Sequence, residues 1–395
     1  MKRFFSYSIL SFFLLLLPTG QASANNNDSI RLSLLTCAPG EEIYSLFGHT
    51  AIRYENSSQG IDVVFNYGLF SFNTPNFIFR FSLGETDYQL GATDYERFAA
   101  EYAFFGRSVW QQTLNLTDEE KTELIRLLQE NYRPENRVYR YNFFYDNCAT
   151  RPRDKIEESI AGKVIYPAEP QDGSLTFRDI VHQYCKGHPW ARFGIDLCIG
   201  SEADQPITQR QMMFAPFYLM DAFDGAQIKG DSIQRPLITA NELIVDATPE
   251  PDESDWMPTP LQCSLLLFIL TAAATIYGIR RRTGLWGIDL FLFGIAGIVG
   301  CVLAFLALFS QHPAVSSNFL LLVFHPGQLL FLPYIIYCVR KGKKCWYLTL
   351  NLAVLTLFIV LFPVIPQRFD FAVVPLALVL LIRSASNLIV TSKKT

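Results

Sequence analysis

The chain has 395 residues, 50% of them hydrophobic, and a formal net charge of −4. The apolar excess lies after Leu261, whereas residues 25–259 read as ordinary globular protein, so one sizeable soluble domain precedes a membrane region. Lysines and arginines are scattered through the soluble part rather than gathered on one element, which argues against nucleic acid as a partner.

Residues 1–24 have the three parts of a secretory signal peptide: Lys2 and Arg3, an apolar run from Phe12 to Leu17, and the small-residue ending Ala22-Ser23-Ala24. Pro18 and Gly20 shorten the run and disfavour an uncleaved anchor helix. No cysteine stands at the expected cleavage point after Ala24, so the protein is not expected to be a lipoprotein itself.

The exported part, residues 25–247, is expected to be an α+β domain. Ile30 to Leu35 reads as a short strand, and Thr50 to Tyr54 and Asp62 to Tyr67 read as a hairpin around the turn-rich ENSSQG. A capping box, Thr117 with Glu120, opens a helix whose apolar face is Leu124, Leu127 and Leu128. From Val138 to Tyr145 an aromatic residue recurs at every second position, which predicts a strand with one buried face. Ala149 to Ile160 then predicts a helix with Pro152 in its first turn, where proline is tolerated.

Residues 248–260, rich in proline and acidic residues, suit an extended linker, with Trp256 marking the membrane surface. Five apolar segments follow, at about 261–279, 285–309, 319–339, 346–363 and 371–390, predicting an all-α transmembrane bundle of about five helices. Arg280 to Arg282, Arg340 to Lys344 and the terminal Lys393 and Lys394 alternate with loops almost free of positive charge. The positive-inside rule therefore places the C-terminus in the cytoplasm and the soluble domain outside, in agreement with the signal peptide. Arg383 is expected to snorkel from the cytoplasmic end of the last helix.

Eight cysteines divide into two sets. Cys263, Cys301, Cys338 and Cys345 lie in or beside apolar helices and serve as small hydrophobes. Cys37, Cys148, Cys185 and Cys198 lie in an oxidising compartment, and Cys185 with Cys198 is the favoured disulfide pair, leaving Cys148 free. Cys148 sits between a predicted strand and a helix N-terminus, where backbone N–H groups favour a thiolate and can hold an oxyanion; a structural thiol or a bridge to Cys37 is the alternative. His49 follows Gly48 at the start of a strand and can serve as a general base, although an isolated histidine is more often structural. Asn147 is expected to cap the helix after Cys148, and His182 and His188 are expected to be structural. His325 precedes Pro326-Gly327 inside an apolar segment and is a substrate-site candidate, with an interhelical hydrogen bond as the alternative. His312 and Asn318 fall in an outer loop, where they can face the active site.

The stretches LLTCAPGEEIYSLFGHTAIRY, YNFFYDNCATRPRDKI, PWARFGIDLCIG and QRQMMFAPFYLMDAFD resemble the periplasmic domain of Lnb-type lipoprotein N-acyltransferases, and the membrane tail fits the same family. The resemblance implies a circularly permuted papain-like fold, similar to lecithin:retinol acyltransferase-like enzymes. It implies transfer of an acyl chain from a membrane phospholipid to the N-terminal α-amine of diacylated lipoproteins. Cys148 would be the nucleophile and His49 the base. Asn66, on the second hairpin strand, is the candidate for the polar group that orients the histidine, with a strand-end turn residue as the alternative. Arg53 and Arg151 are candidates for a phosphate headgroup. No metal or organic cofactor is expected, because thioester chemistry requires neither. The alternatives are a membrane-anchored cysteine hydrolase, acting on cell-wall peptides or phospholipids, and a non-catalytic assembly factor.

Overall fold

The computed structural model describes residues 29–71, 73, 75–168, 172–230, 234–247 and 257–392. The expected signal peptide and linker residues 248–256, with Trp256, lie outside the described residues.

The N-terminal domain is built on a seven-stranded antiparallel sheet. Its strands are β1 (Ile30–Cys37), β2 (His49–Asn56), β3 (Ile61–Leu69), β4 (Asp87–Asp94), β5 (Val109–Leu114), β6 (Val138–Arg140) and β10 (Ile238–Val245), in the order β10-β5-β1-β2-β3-β4-β6. A small sheet, β7 (Lys163–Ile165), β8 (Gln227–Lys229) and β9 (Gln234–Pro236), lies apart from it. Helix α1 (Phe77–Leu83) follows β3, and α2 (Tyr95–Phe104) packs Phe98 and Tyr102 with Leu35, Ala51 and Val64 of the sheet. On the opposite side, Leu124 and Leu128 of α3 (Asp118–Tyr132) and Ile156 of α4 (Thr150–Ser159) cluster with Leu34, Ile52 and Phe65. The alternation of side chains along a strand separates the two cores.

Local sequence sets several of these elements. The expected hairpin is β2–β3, and α3 begins with both hydrogen bonds of the Thr117–Glu120 capping box. The aromatic alternation from Val138 to Tyr145 does not make one long strand, because β6 ends at Arg140. Beyond it Asn142 and Asp146 exchange backbone hydrogen bonds of 2.9 Å, and the Asn142 side chain accepts from Tyr145 N–H at 3.2 Å. This turn competes with strand extension. Four helices, α5 (Phe177–Tyr184), α6 (Pro189–Cys198), α7 (Gln209–Met212) and α8 (Pro216–Asp224), complete the domain, with Phe177, Ile180 and Phe214 in a core of their own.

The C-terminal part contains α9 (Pro260–Arg281), α10 (Trp286–Phe309), α11 (Pro326–Leu330), α12 (Leu332–Lys341), α13 (Trp346–Leu361) and α14 (Val373–Ser392). Among the described residues, three helices, α9, α10 and α14, are long and apolar enough to cross a membrane. The third expected segment is bent by 74° between Phe319–Leu330 and Leu332–Lys341, and counting it as one span gives up to four; α13 has 16 residues. Length and composition thus support three or four of the roughly five expected spans, with α13 a shorter apolar helix beside them. Pro326 opens α11 and Pro333 lies in the first turn of α12, so the backbone ladder is interrupted at both, and glycines of α10 let the broken segment approach: a Cβ on Gly300 would stand 2.4 Å from His325 N, and one on Gly297 2.5 Å from Leu329 N.

Arg383 does not snorkel. It is buried, and its guanidinium grips Asp289 of α10 at 2.7 and 3.0 Å and Thr275 of α9 at 3.0 Å. The two parts of the chain are also joined directly. Gly200 N–H donates to Ala314 O at 2.6 Å, Asn318 Nδ2 to Leu197 O at 2.7 Å, and Arg368 pairs with Asp179 and Asp204 at 2.6 and 3.0 Å.

Candidate active site

His49 is the first residue of β2. Gly48, with φ +75°, brings the chain in so closely that a Cβ there would be 2.5 Å from Cys37 O. His49 Nε2 and Asn66 Oδ1 of β3 are 2.7 Å apart. The amide oxygen can only accept, so Nε2 carries the proton and Nδ1 is left as the basic nitrogen. Pairing of β2 with β3 stops at Ala51–Asn66, and the register of β3 with β4 shifts between Tyr67 and Leu69. Gly68 lies at that shift with φ +137°.

Gly68 is where the two halves of the site meet. A Cβ placed on it would stand 3.2 Å from His49 Cε1, 3.6 Å from Cys148 Cβ and 4.0 Å from Asn66 Oδ1. Three residues far apart in sequence therefore converge on one glycine. Cys148 is held immediately before α4 by Asn147, whose Oδ1 accepts from Ala149 and Thr150 N–H at 2.8 and 3.0 Å. Its Nδ2 donates to Phe143 O and Phe214 O, both at 2.9 Å. Asn147 thus caps the helix and anchors the loop, as expected, and stands beside the chemistry rather than in it.

Cys148 and His49 are partly open to solvent yet closely surrounded by protein atoms. Burial pushes the Cys148 thiol up to about 11, although the backbone N–H groups of Thr50 and of Cys148 itself favour the thiolate. Burial likewise lowers the His49 imidazole to about 4 against the opposing bond to Asn66, with Arg107 adding to the fall. At neutral pH the resting pair is a thiol and a neutral base. Arg107 lies over the Tyr102 ring at 4.7 Å and donates from Nε to Ala38 O at 2.8 Å. Cys37, paired in register with His49, is buried and pushed up to about 12.

The other candidates are placed elsewhere. Arg53 is clamped by Asp62 at 2.8 and 2.6 Å, bonded to Gln111 and stacked on Tyr95. Arg151 is held by Asp146 at 2.6 and 2.8 Å over the Tyr139 ring. Both guanidiniums already have carboxylate partners. His325 binds Asn351 at 3.3 Å, and Asn351 continues to Ser384 Oγ at 3.0 Å, making an interhelical chain within the bundle. His312 donates to Phe81 O at 2.6 Å, His182 meets Asp196 at 2.8 Å, and Asn318 braces α6. Cys185 and Cys198 are free thiols, so the favoured bridge is absent from this structure; Cys37 and Cys148 are free as well. Cys185 packs into the core around α5, where burial suits a reduced thiol.

Gly68 and Arg107 were missed by sequence reasoning. For Gly68 a signal existed, since a glycine ending a strand pattern marks a bulge or a close approach. Arg107 had none, being one scattered arginine among many.

Residues 20–182 match the family model for the Lnb N-terminal periplasmic domain, and residues 252–395 match that for the Lnb transmembrane domain. No curated protein and no solved structure matches the chain.

Proposed function

The chain belongs to the Lnb family, and from that premise we propose that it is a cysteine-dependent acyltransferase of a circularly permuted papain-like kind. It is a membrane protein with a periplasmic N-terminal domain. In this reading it moves a fatty acyl chain from a phospholipid to the N-terminal α-amine of diacylated lipoproteins. The charge bias of the loops supports placement in the inner membrane with a cytoplasmic C-terminus.

The observation that carries the reading is the convergence of Cys148, His49 and Asn66 on Gly68. His49 Nδ1 accepts the Cys148 proton as the sulfur attacks the ester carbonyl. The lyso-glycerophospholipid alkoxide leaves with that proton, and a thioester remains on Cys148. The lipoprotein amine then attacks the thioester carbonyl, the amide bond forms, and the departing thiolate recovers a proton through His49. The Thr50 and Cys148 N–H groups that face the sulfur are the available donors for the developing oxyanion. Asn66 keeps the imidazole in the tautomer with Nδ1 free.

Mass spectrometry of a reporter lipoprotein's N-terminal peptide tests the proposal in cells carrying the wild type, Cys148→Ala or no copy. An amide-linked third acyl chain only with the wild type is the expected result. A diacylated peptide in all three, beside a working control enzyme, refutes it; release of free fatty acid then points to the hydrolase.

A further inference from the structure

A series of aromatic rings that takes no part in the proton transfers runs from the thiol to the membrane helices. Tyr141 packs against the core cluster that contains Ala149, the neighbour of Cys148, and burial first and then the Cys148 sulfur push its hydroxyl pKa up. It stacks on Tyr88 with centroids 4.2 Å apart, Tyr88 stacks on Phe70 at 4.9 Å, and Phe70 on Phe77 of α1 at 5.7 Å. Phe70 follows Gly68 by two residues, so the series leaves from the centre of the site.

α1 is unlike the other helices of its domain in having no buried residue: Ile78 is 80% and Phe79 57% exposed. Its sequence, FIFRFSL, carries one charge, and Arg80 is turned back onto Asp87 at 2.6 Å and Glu85 O at 3.0 Å. α1 is fixed to the end of α10. Phe79 meets Phe305 at 5.9 Å, Leu83 O accepts from Gln311 N–H at 2.8 Å, and Phe81 O accepts from His312 Nε2 at 2.6 Å. The adjoining tip of α10 exposes Leu308 and Phe309, by 74% and 64%. The exposed apolar end of a membrane helix therefore adjoins the exposed apolar residues of α1. A short apolar helix attached at that level belongs at the boundary of headgroups and acyl chains.

We propose that α1 lies in the outer leaflet and that the rings from α1 to Tyr141 guide one acyl chain of a bilayer phospholipid to Cys148. The first part rests on the structure and on the membrane assignment; the second rests also on the acyltransferase reading.

The test uses the full-length protein in phosphatidylethanolamine–phosphatidylglycerol vesicles, comparing wild type with Ile78→Asp, Phe79→Asp and Phe79→Leu. Acyl-Cys148 is followed by intact-protein mass spectrometry without an acceptor. In parallel, phosphatidylethanolamine carrying a diazirine in its acyl chain is photo-cross-linked and the adducts are mapped. Both aspartate variants should slow acylation roughly tenfold or more, the factor worth about 1.4 kcal/mol, and Phe79→Leu should stay near wild type. Iodoacetamide should alkylate Cys148 equally in all four, since neither side chain is among those that converge on Gly68. Wild-type adducts should fall on residues 77–83. Wild-type acylation rates in both aspartate variants would overturn the route, and the absence of adducts on 77–83 would overturn the placement of α1. If wild-type Cys148 is never acylated, the acyltransferase reading and the route fail together, and the cross-links alone decide where α1 lies.

Discussion

Replacing Gly68 by alanine isolates the geometry on which the site depends. The backbone there has φ +137°, a region nearly closed to residues with a Cβ, and the new methyl carbon would stand 3.2 Å from His49 Cε1 and 3.6 Å from Cys148 Cβ. The dihedral strain alone costs about 1–3 kcal/mol. The imidazole must also give way by a few tenths of an ångström, which disturbs its placement beside Asn66 and Cys148. Small displacements of a catalytic group are expensive, since about 1 Å can cost roughly a hundredfold in rate. We expect acyl-Cys148 formation to fall by roughly ten- to a hundredfold. Gly60→Ala is the control: its φ is +63°, but nothing lies within 4 Å of the added carbon. Thermal unfolding in detergent should show both variants weakened, and single-turnover acylation should be impaired only in Gly68→Ala. Equal acylation by the two variants would refute the placement of His49 and Cys148 around Gly68.

Asn66→Ala should lower acylation by roughly ten- to a hundredfold, because His49 Nε2 loses its 2.7 Å acceptor and both tautomers become populated; unchanged kinetics with phospholipid vesicles would remove Asn66 from the site. With the Cys148 thiol near 11 and the His49 imidazole near 4, no thiolate–imidazolium pair exists at rest. Iodoacetamide alkylation of Cys148 should therefore rise about tenfold per pH unit through the neutral range, following the thiolate fraction; a plateau there would show a preformed ion pair. In the membrane part, Asp289→Ala or Arg383→Ala should destabilise by about 3–5 kcal/mol, since each strands a buried charge. Asp289→Leu with Arg383→Met should recover most of that loss in a detergent melting assay.

What could be read from the sequence was set by neighbours in the chain. The hairpin, the Thr117 cap and the helix after Cys148 each depend on a few consecutive residues, and each is present. Cys148 and His49 were legible as candidates because each stands at the end of an element. Their meeting was implied by the family resemblance alone, because it depends on a register shift in β3 and on how α4 packs against the sheet. The aromatic alternation after Val138 misled because a turn that Asn142 opens outweighs β-propensity. Arg383 misled for a related reason. An arginine near a helix end snorkels by default, and its partner Asp289 is 94 residues away on another helix.

The join between the two parts has the chemistry of a fixed mount rather than a hinge. Arg178, wholly buried, donates to Asp196 at 2.6 Å, Asp204 at 2.8 Å and the carbonyls of Ile199 and Gly200 at 3.1 and 3.0 Å. Asp204 in turn accepts from Arg368 in the loop before α14, and Gln367 reaches Ile199 O at 3.2 Å. Gly200 sits so close to the bundle that a Cβ there would be 2.5 Å from Ser317 O. Such a buried charge network adds little net stability once desolvation is counted, but it tolerates few alternative geometries. The contact of α1 with α10 is a second, separate attachment. Two attachments at different points of the domain restrict rocking as well as sliding. The height and tilt of Cys148 relative to the membrane helices are therefore set by the fold itself, as the proposed transfer between two membrane-anchored substrates requires.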